Sequence, residues 1–260
     1  MIYNSQEYAR LRNAVLSVSV IAWIAILLEP GAATCCQASD SATSLKWLLY
    51  STPATSLARG WAVMLIAMMA PRLVTPIYHI WISSFARRRA RSIALFLAGY
   101  GTVWMAAGVV MVAAELTAKC LAFGSYLPAS GVAIVALVWQ ASPFKQRCLN
   151  RCHSHRPLAA FGIAADWATL RLGLEHGLWC TASCWATMLL PMLLPQGHLL
   201  AMAAVSILMY CESLDPPRAP SWRLRGFGTA WRYLRLRLRD PQAGGATFAP
   251  GAQTHSTLPA

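Results

Sequence analysis

Long uncharged apolar stretches recur along this chain, several of them close to the twenty or so residues that cross a bilayer as a helix. Short basic segments separate them. The apolar stretches cover residues 14–28, 59–82, 92–114, 126–141, 173–195 and 199–211. They predict an all-α, multi-pass transmembrane helix bundle of six spans with both termini cytoplasmic. Glu29-Pro30-Gly31 ends the first span, and Glu115 closes the third. Pro71 and Pro76 fall inside the second, where a kinked helix is expected and neighbouring groups must satisfy the freed carbonyls. Residues 157–172 are apolar apart from Asp166 and Arg171, a pattern that predicts an interfacial helix. Three regions follow: an N-terminal span with an external loop (1–57), a metal-binding membrane core (58–213), and a basic, partly disordered cytoplasmic tail (214–260).

Composition agrees with the pattern. Of 260 residues 57% are hydrophobic and only 12% charged, which excludes an ordinary soluble domain. The net charge of +13 would suit nucleic acid if it formed one patch. It does not. With the N-terminus, the Arg87–Arg91 loop, residues 145–171 and the tail assigned to the cytoplasm, only Lys46, Arg59 and Lys119 fall outside, and Arg72 lies within a span. The basic excess is therefore topological, and no nucleic-acid partner is implied. The alternation of Leu and Arg over residues 234–239 suits anionic lipid head groups on the same face. Eight cysteines do not form a secreted disulfide framework here, because most lie in or beside spans. The first apolar run lacks a clear cleavage site and is read as a retained span.

The candidate chemistry sits in the fifth stretch. From Gly177 to Pro195 it is uncharged, and His176, Cys180, Cys184, Met188 and Met192 recur every fourth residue. On an α-helix each such step turns the side chain by only about 40°, so neighbours can share a ligand. Imidazole, thiols and thioethers are soft donors that suit Cu(I), with zinc next. The alternative is that Cys and Met merely pack. A weak internal echo points to the second span: Trp61-x2-Met64-x3-Met68 repeats the spacing of Trp185-x2-Met188-x3-Met192. Under the predicted topology the thioethers lie outermost and the thiols innermost. A soft cation entering from outside would meet progressively stronger donors.

A second cluster, Cys148-Leu149-Asn150-Arg151-Cys152-His153-Ser154-His155, lies at the cytoplasmic mouth. It reads as a polar basic loop in which two thiols have no packing role, so metal or redox chemistry is expected there. Glu212, at the end of the sixth span, is a candidate ligand or an orienting partner for His176. Cys35-Cys36 would face the oxidising side as a vicinal disulfide, a free pair or an incidental one.

Three motifs in order carry a resemblance. Trp61-x2-Met64-x3-Met68-Met69-x-Pro71, Ser142-Pro143-Phe144-Lys145-x2-Cys148-Leu149-x2-Cys152, and Gly177-x2-Cys180-x3-Cys184-Trp185-x2-Met188 are similar to those of the bacterial predicted metal-binding integral membrane proteins, a domain of unknown function. The likeness covers residues 58–213. It departs from the family at Ala182 and Ser183, where a Gly and a further Cys are expected, and at Ser213, where a Lys commonly follows the glutamate. The resemblance implies metal binding, with copper as the metal, in the cytoplasmic membrane.

The expected function is thus binding of a soft metal ion, Cu(I) before zinc, for transport or for delivery to a metalloprotein. Cys180 and Cys184 are the expected primary ligands. Met188, Met64 and Met68 are weaker ones, and Cys148 with Cys152 forms an acceptor pair. The expected partners are membrane lipid and a metal-donor or metal-acceptor protein. No Gly-rich phosphate loop and no Ser-His-Asp signature occurs. Two other classes remain open on sequence alone: a membrane thiol-disulfide oxidoreductase linking Cys35-Cys36 to Cys148 and Cys152, and an assembly scaffold without chemistry of its own.

Overall fold

The structure, a computed structural model, describes residues 5–28, 54–121, 125–154, 158–159 and 161–226, together with 228, 231 and 235. Cys35, Cys36, His155 and most of the basic tail lie outside the described residues. Every regular element among those described is helical. The helices are α1 (Ser5–Leu28), α2 (Ala54–Ser83), α3 (Arg89–Leu121), α4 (Leu127–Ala141), α5 (Pro143–Cys152), α6 (Gly162–Leu193) and α7 (His198–Ser213), with a 3-10 turn Ala86–Arg88 before α3. Three of them, α1, α2 and α3, are long and apolar enough to cross a membrane, and α4 with α5 makes a fourth if that bent pair counts as one span. α7 is a shorter apolar helix. Large apolar side chains such as Ile21, Leu28, Val109, Val110, Ile134 and Leu137 are exposed along α1, α3 and α4. Such a surface is costly in water and suits a lipid surround.

The core lies around α6, which packs against α3, α4, α5 and α7, while α1 packs on α2. Small residues allow the closest of these contacts. A Cβ on Gly173 would lie 2.2 Å from the Phe96 carbonyl oxygen, and one on Gly99 would lie 2.6 Å from the Leu170 oxygen. The two backbones therefore touch where both lack side chains. On α2, Pro71 has no N–H for the carbonyl of Ala67 four residues earlier, and the Ser19 hydroxyl of α1 donates to that oxygen at 2.6 Å. The partner required by the proline is thus supplied by the neighbouring helix. α2 runs unbroken through Pro71 and Pro76.

The structure alters four details of the sequence reading. Residues 162–172 are not a separate interfacial helix, because α6 continues through them. Their charges are satisfied in place: Asp166 pairs with Arg88 at 2.5 Å and Arg91 at 2.7 Å, and Arg171 with Glu175 at 2.9 Å one turn on. Glu115 does not close α3, which runs on to Leu121 with that side chain buried. The 143–152 segment is a helix and not a loop. Ser142 and Pro143 account for it: the residue before proline is held extended, which stops α4, and the Ser142 hydroxyl then accepts the Lys145 N–H at 3.2 Å as an N-cap, with Pro143 in the first turn. The chain bends by 67° at this point. Cys148 is fully buried as a result, so it does have a packing role.

That bend carries a buried polar cluster. Lys145, 1% exposed, reaches across to Glu212 on α7, 2% exposed, at 2.7 Å, and Gln140 bridges them, donating to Glu212 Oε1 and accepting from Lys145 Nζ. The following segment straps over it. Gln146 Nε2 donates to the carbonyls of Ser221 and Arg223, Asn150 holds Arg218 and Arg225, and Asp215 accepts the Gly226 N–H at 2.8 Å. Gly226 has φ +112°, and a Cβ there would lie 2.9 Å from Glu212 Cγ, so only glycine fits.

Two outcomes follow for stability. Gly173→Ala drives a methyl into the backbone of α3 and should cost about 3 kcal/mol, the upper part of the overpacking range, whereas Gly101→Ala, with open space around it, should be neutral; thermal unfolding in detergent compares them. Lys145→Met leaves Glu212 buried without its cation and should cost about 3–5 kcal/mol. Lys145→Met with Glu212→Leu should recover much of that loss, and strictly additive losses would contradict the pairing.

Candidate metal centre

Cys180 and Cys184 lie one turn apart on the face of α6 that meets the core, and each is 1% exposed. Their positions follow from helical spacing alone, but their surroundings come from other helices. α3 brings Tyr100, whose hydroxyl lies 3.5 Å from Cys180 Sγ, and one turn further Trp104, which is fully buried. Trp104 Nε1 lies beside the same sulfur yet completes no hydrogen bond. α2 brings Trp61, whose indole donates to the Trp104 carbonyl at 3.0 Å, and Arg72, whose guanidinium is within electrostatic reach of Cys180, Cys184, Cys152 and Tyr100. Arg72 Nη1 is sealed from solvent and has no hydrogen-bond partner.

The thiols also have local partners on α6. The Cys184 thiol donates to the Cys180 carbonyl at 2.9 Å, and the Ser183 hydroxyl donates to the same oxygen at 2.7 Å. Ser183 therefore offers no thiol and turns its hydroxyl to the backbone. Cys148, Cys152, Cys180, Cys184 and Cys211 are all free thiols.

Several residues singled out from the sequence come together and others do not. Met64, Met68, Met188 and Met192 share one buried cluster with Cys180 and Cys184, and Cys152 packs against it. Met69, Met111, Met202 and Met209 join the same cluster, so it is richer in sulfur than the α6 stripe by itself. Cys148 is buried on α5 outside that cluster. His176 is half-buried, with its ring 5.8 Å from Phe96 and 5.9 Å from Tyr100. Glu212 accepts from Lys145 and Gln140. Among the described residues no three of His, Cys, Asp and Glu converge into a group that could hold one ion. A centre here would rest on two thiols and the thioethers beside them.

Sequence reasoning missed Arg72, Tyr100, Trp104 and Lys145 as parts of this neighbourhood. For Arg72 a signal existed: it is a lone cation inside an apolar stretch, between two prolines. The aromatic pair carried none, since Tyr and Trp in a span read equally well as packing. Lys145 was hidden by the assumption of a solvated loop.

A family model described as PpoB2, copper chaperone, matches residues 58–233, which takes in the strap over Glu212 as well as the helices that carry the thiols. No curated protein and no solved structure matches the chain. Because the family match spans well over half of the 260 residues, the chain belongs to the PpoB2 copper chaperone family.

Proposed function

We propose that this protein is a membrane-embedded copper chaperone that holds Cu(I) on Cys180 and Cys184 and passes it to a metalloprotein. One observation carries the reading: two fully buried thiols on one helix turn, inside a core that buries eight methionines, with no third His, Cys, Asp or Glu among the described residues to complete a harder site. Zinc takes four ligands, commonly Cys and His, in a tetrahedron. Cu(I) is content with two or three soft sulfur donors. The donor set therefore favours copper, and the ion is cargo, since weak thioether neighbours allow it to leave.

Met64, Met68, Met188 and Met192 would serve as weaker donors along the approach. Cys152, packed against the cluster and within electrostatic reach of Cys180, would be the next thiol on the way to the cytoplasmic mouth, with Cys148 behind it. His176 would act at the edge of the centre, through its contact with Tyr100. Glu212 would position Lys145 and so hold α5 and its thiols in place. Around this centre we place six spans with both termini cytoplasmic, in the bacterial cytoplasmic membrane, on the strength of the Lys and Arg distribution.

The topology is tested by protease treatment of sealed vesicles: inside-out vesicles should lose the tail beyond Asp240 and right-side-out vesicles should keep it, and the reverse pattern would refute the assignment. The metal reading is tested on full-length protein purified in detergent under reducing conditions after copper has been supplied. Mass spectrometry should find about one copper per chain in the wild type and almost none in Cys180→Ser/Cys184→Ser. Equal copper in both would move the site elsewhere, and none in either would end the proposal.

A further inference from the structure

Arg72 is partly exposed, yet one end of its guanidinium is neither solvated nor hydrogen-bonded. It is a permanent cation on α2. Its Nη1 is sealed from solvent with no acceptor, and no ion-pair partner is found for it among the described residues. Such a group is costly unless something anionic meets it. Met68, one turn before Arg72 on α2, packs in the buried cluster that holds Cys180 and Cys184, and the thiols of Cys180, Cys184 and Cys152 lie within electrostatic reach of the Arg72 charge. A second buried donor without a partner, Trp104 Nε1, lies beside Cys180, and the Tyr100 hydroxyl is 3.5 Å from that sulfur. Two donors from α3 thus flank the Cys180 sulfur, and α2 brings the Arg72 charge within electrostatic reach of it. The other cation near Cys184, Lys145, is already neutralised by Glu212 at 2.7 Å. That leaves one unbalanced positive charge beside the two thiols.

We propose that Arg72 is the countercharge of a two-thiolate centre on Cys180 and Cys184, and that it makes the site selective for a monovalent soft cation over a divalent one. The inference rests on the copper reading above and adds the reason for its selectivity. The charge balance is simple. When a metal binds, both thiols give up their protons to solvent and two metal–sulfur bonds form. Cu(I) with two thiolates carries one negative charge, and Arg72 brings the total to zero. Zn(II) with two thiolates is neutral, and the guanidinium is left without a countercharge. The protein thereby discriminates by charge where donor softness separates the two metals less sharply.

The test uses full-length protein in detergent under reducing conditions, with Cu(I) alone and Zn(II) alone, each competed against a chromophoric chelator. Wild type, Arg72→Gln and Arg72→Lys are compared, and thermal unfolding checks that each is folded. Arg72→Gln should bind Cu(I) at least about tenfold more weakly, while its Zn(II) affinity stays level or rises. Arg72→Lys, which keeps the charge, should retain most of the wild-type preference. An equal loss for both metals in Arg72→Gln, or no change in either, overturns the proposal while leaving copper binding intact. If Arg72→Gln does not fold, loss of the preference in Arg72→Lys overturns it. X-ray absorption of the copper-loaded wild type gives a reading free of any variant: two sulfur ligands at short thiolate distance support the anionic centre, and a single thiolate overturns it. Wild type that takes up no Cu(I) would remove the copper reading and this one together.

Discussion

The arrangement depends first on how closely α3 can approach α6. Two helices with ordinary side chains stand roughly 8–10 Å apart. At Gly99 and Gly173 they have none, and the backbones meet directly. Gly99 immediately precedes Tyr100 and lies a little more than one turn before Trp104, and Gly173 lies about two turns before Cys180. The contact fixes the height of the aromatic pair against the thiol. Gly177 extends the same seam towards Cys180, with its Cβ position 3.1 Å from Val103. A bulkier seam would carry Tyr100 and Trp104 away from the sulfur and leave the thiols in plain hydrocarbon.

Charge is handled by pairing wherever it is buried. Lys145, Gln140 and Glu212 neutralise one another at the bend between α4 and α5, and a strap of backbone hydrogen bonds closes over them. Asp166 does the same for two arginines at the other end of α6. Arg72 breaks this habit, and it breaks it beside the thiols. The exception is therefore informative about the site in a way that another satisfied ion pair would not be.

A carrier has to hold its ion and also release it. In the proposed site two thiolates would give strength, and the thioethers around them softness without charge. The sulfur-rich core provides both, since methionine packs as an ordinary apolar side chain when no ion is near. The same residues can thus hold the bundle together and offer weak coordination along its length. Cys152, at the edge of this core, connects it with α5.

Much of this was open to reading in the linear chain. Helical class, the apolar stretches and the thiol pair on one face of α6 follow from local periodicity, because the helix repeat turns every fourth residue to nearly the same side. Ser142 and Pro143 even carry the bend, although the segment after them has the polar, basic character of a loop. Pairings between distant segments were not available in that form. Nothing local tells Lys145 that Glu212 will lie 2.7 Å away, nor Tyr100 that it will meet Cys180, nor Ser19 that it will reach the carbonyl freed by Pro71. The sequence by itself determined which residues could share a helix face and which donors were present. Only the tertiary structure decided which charges were cancelled and which was left without a partner, because burial and partnership depend on where other helices pack.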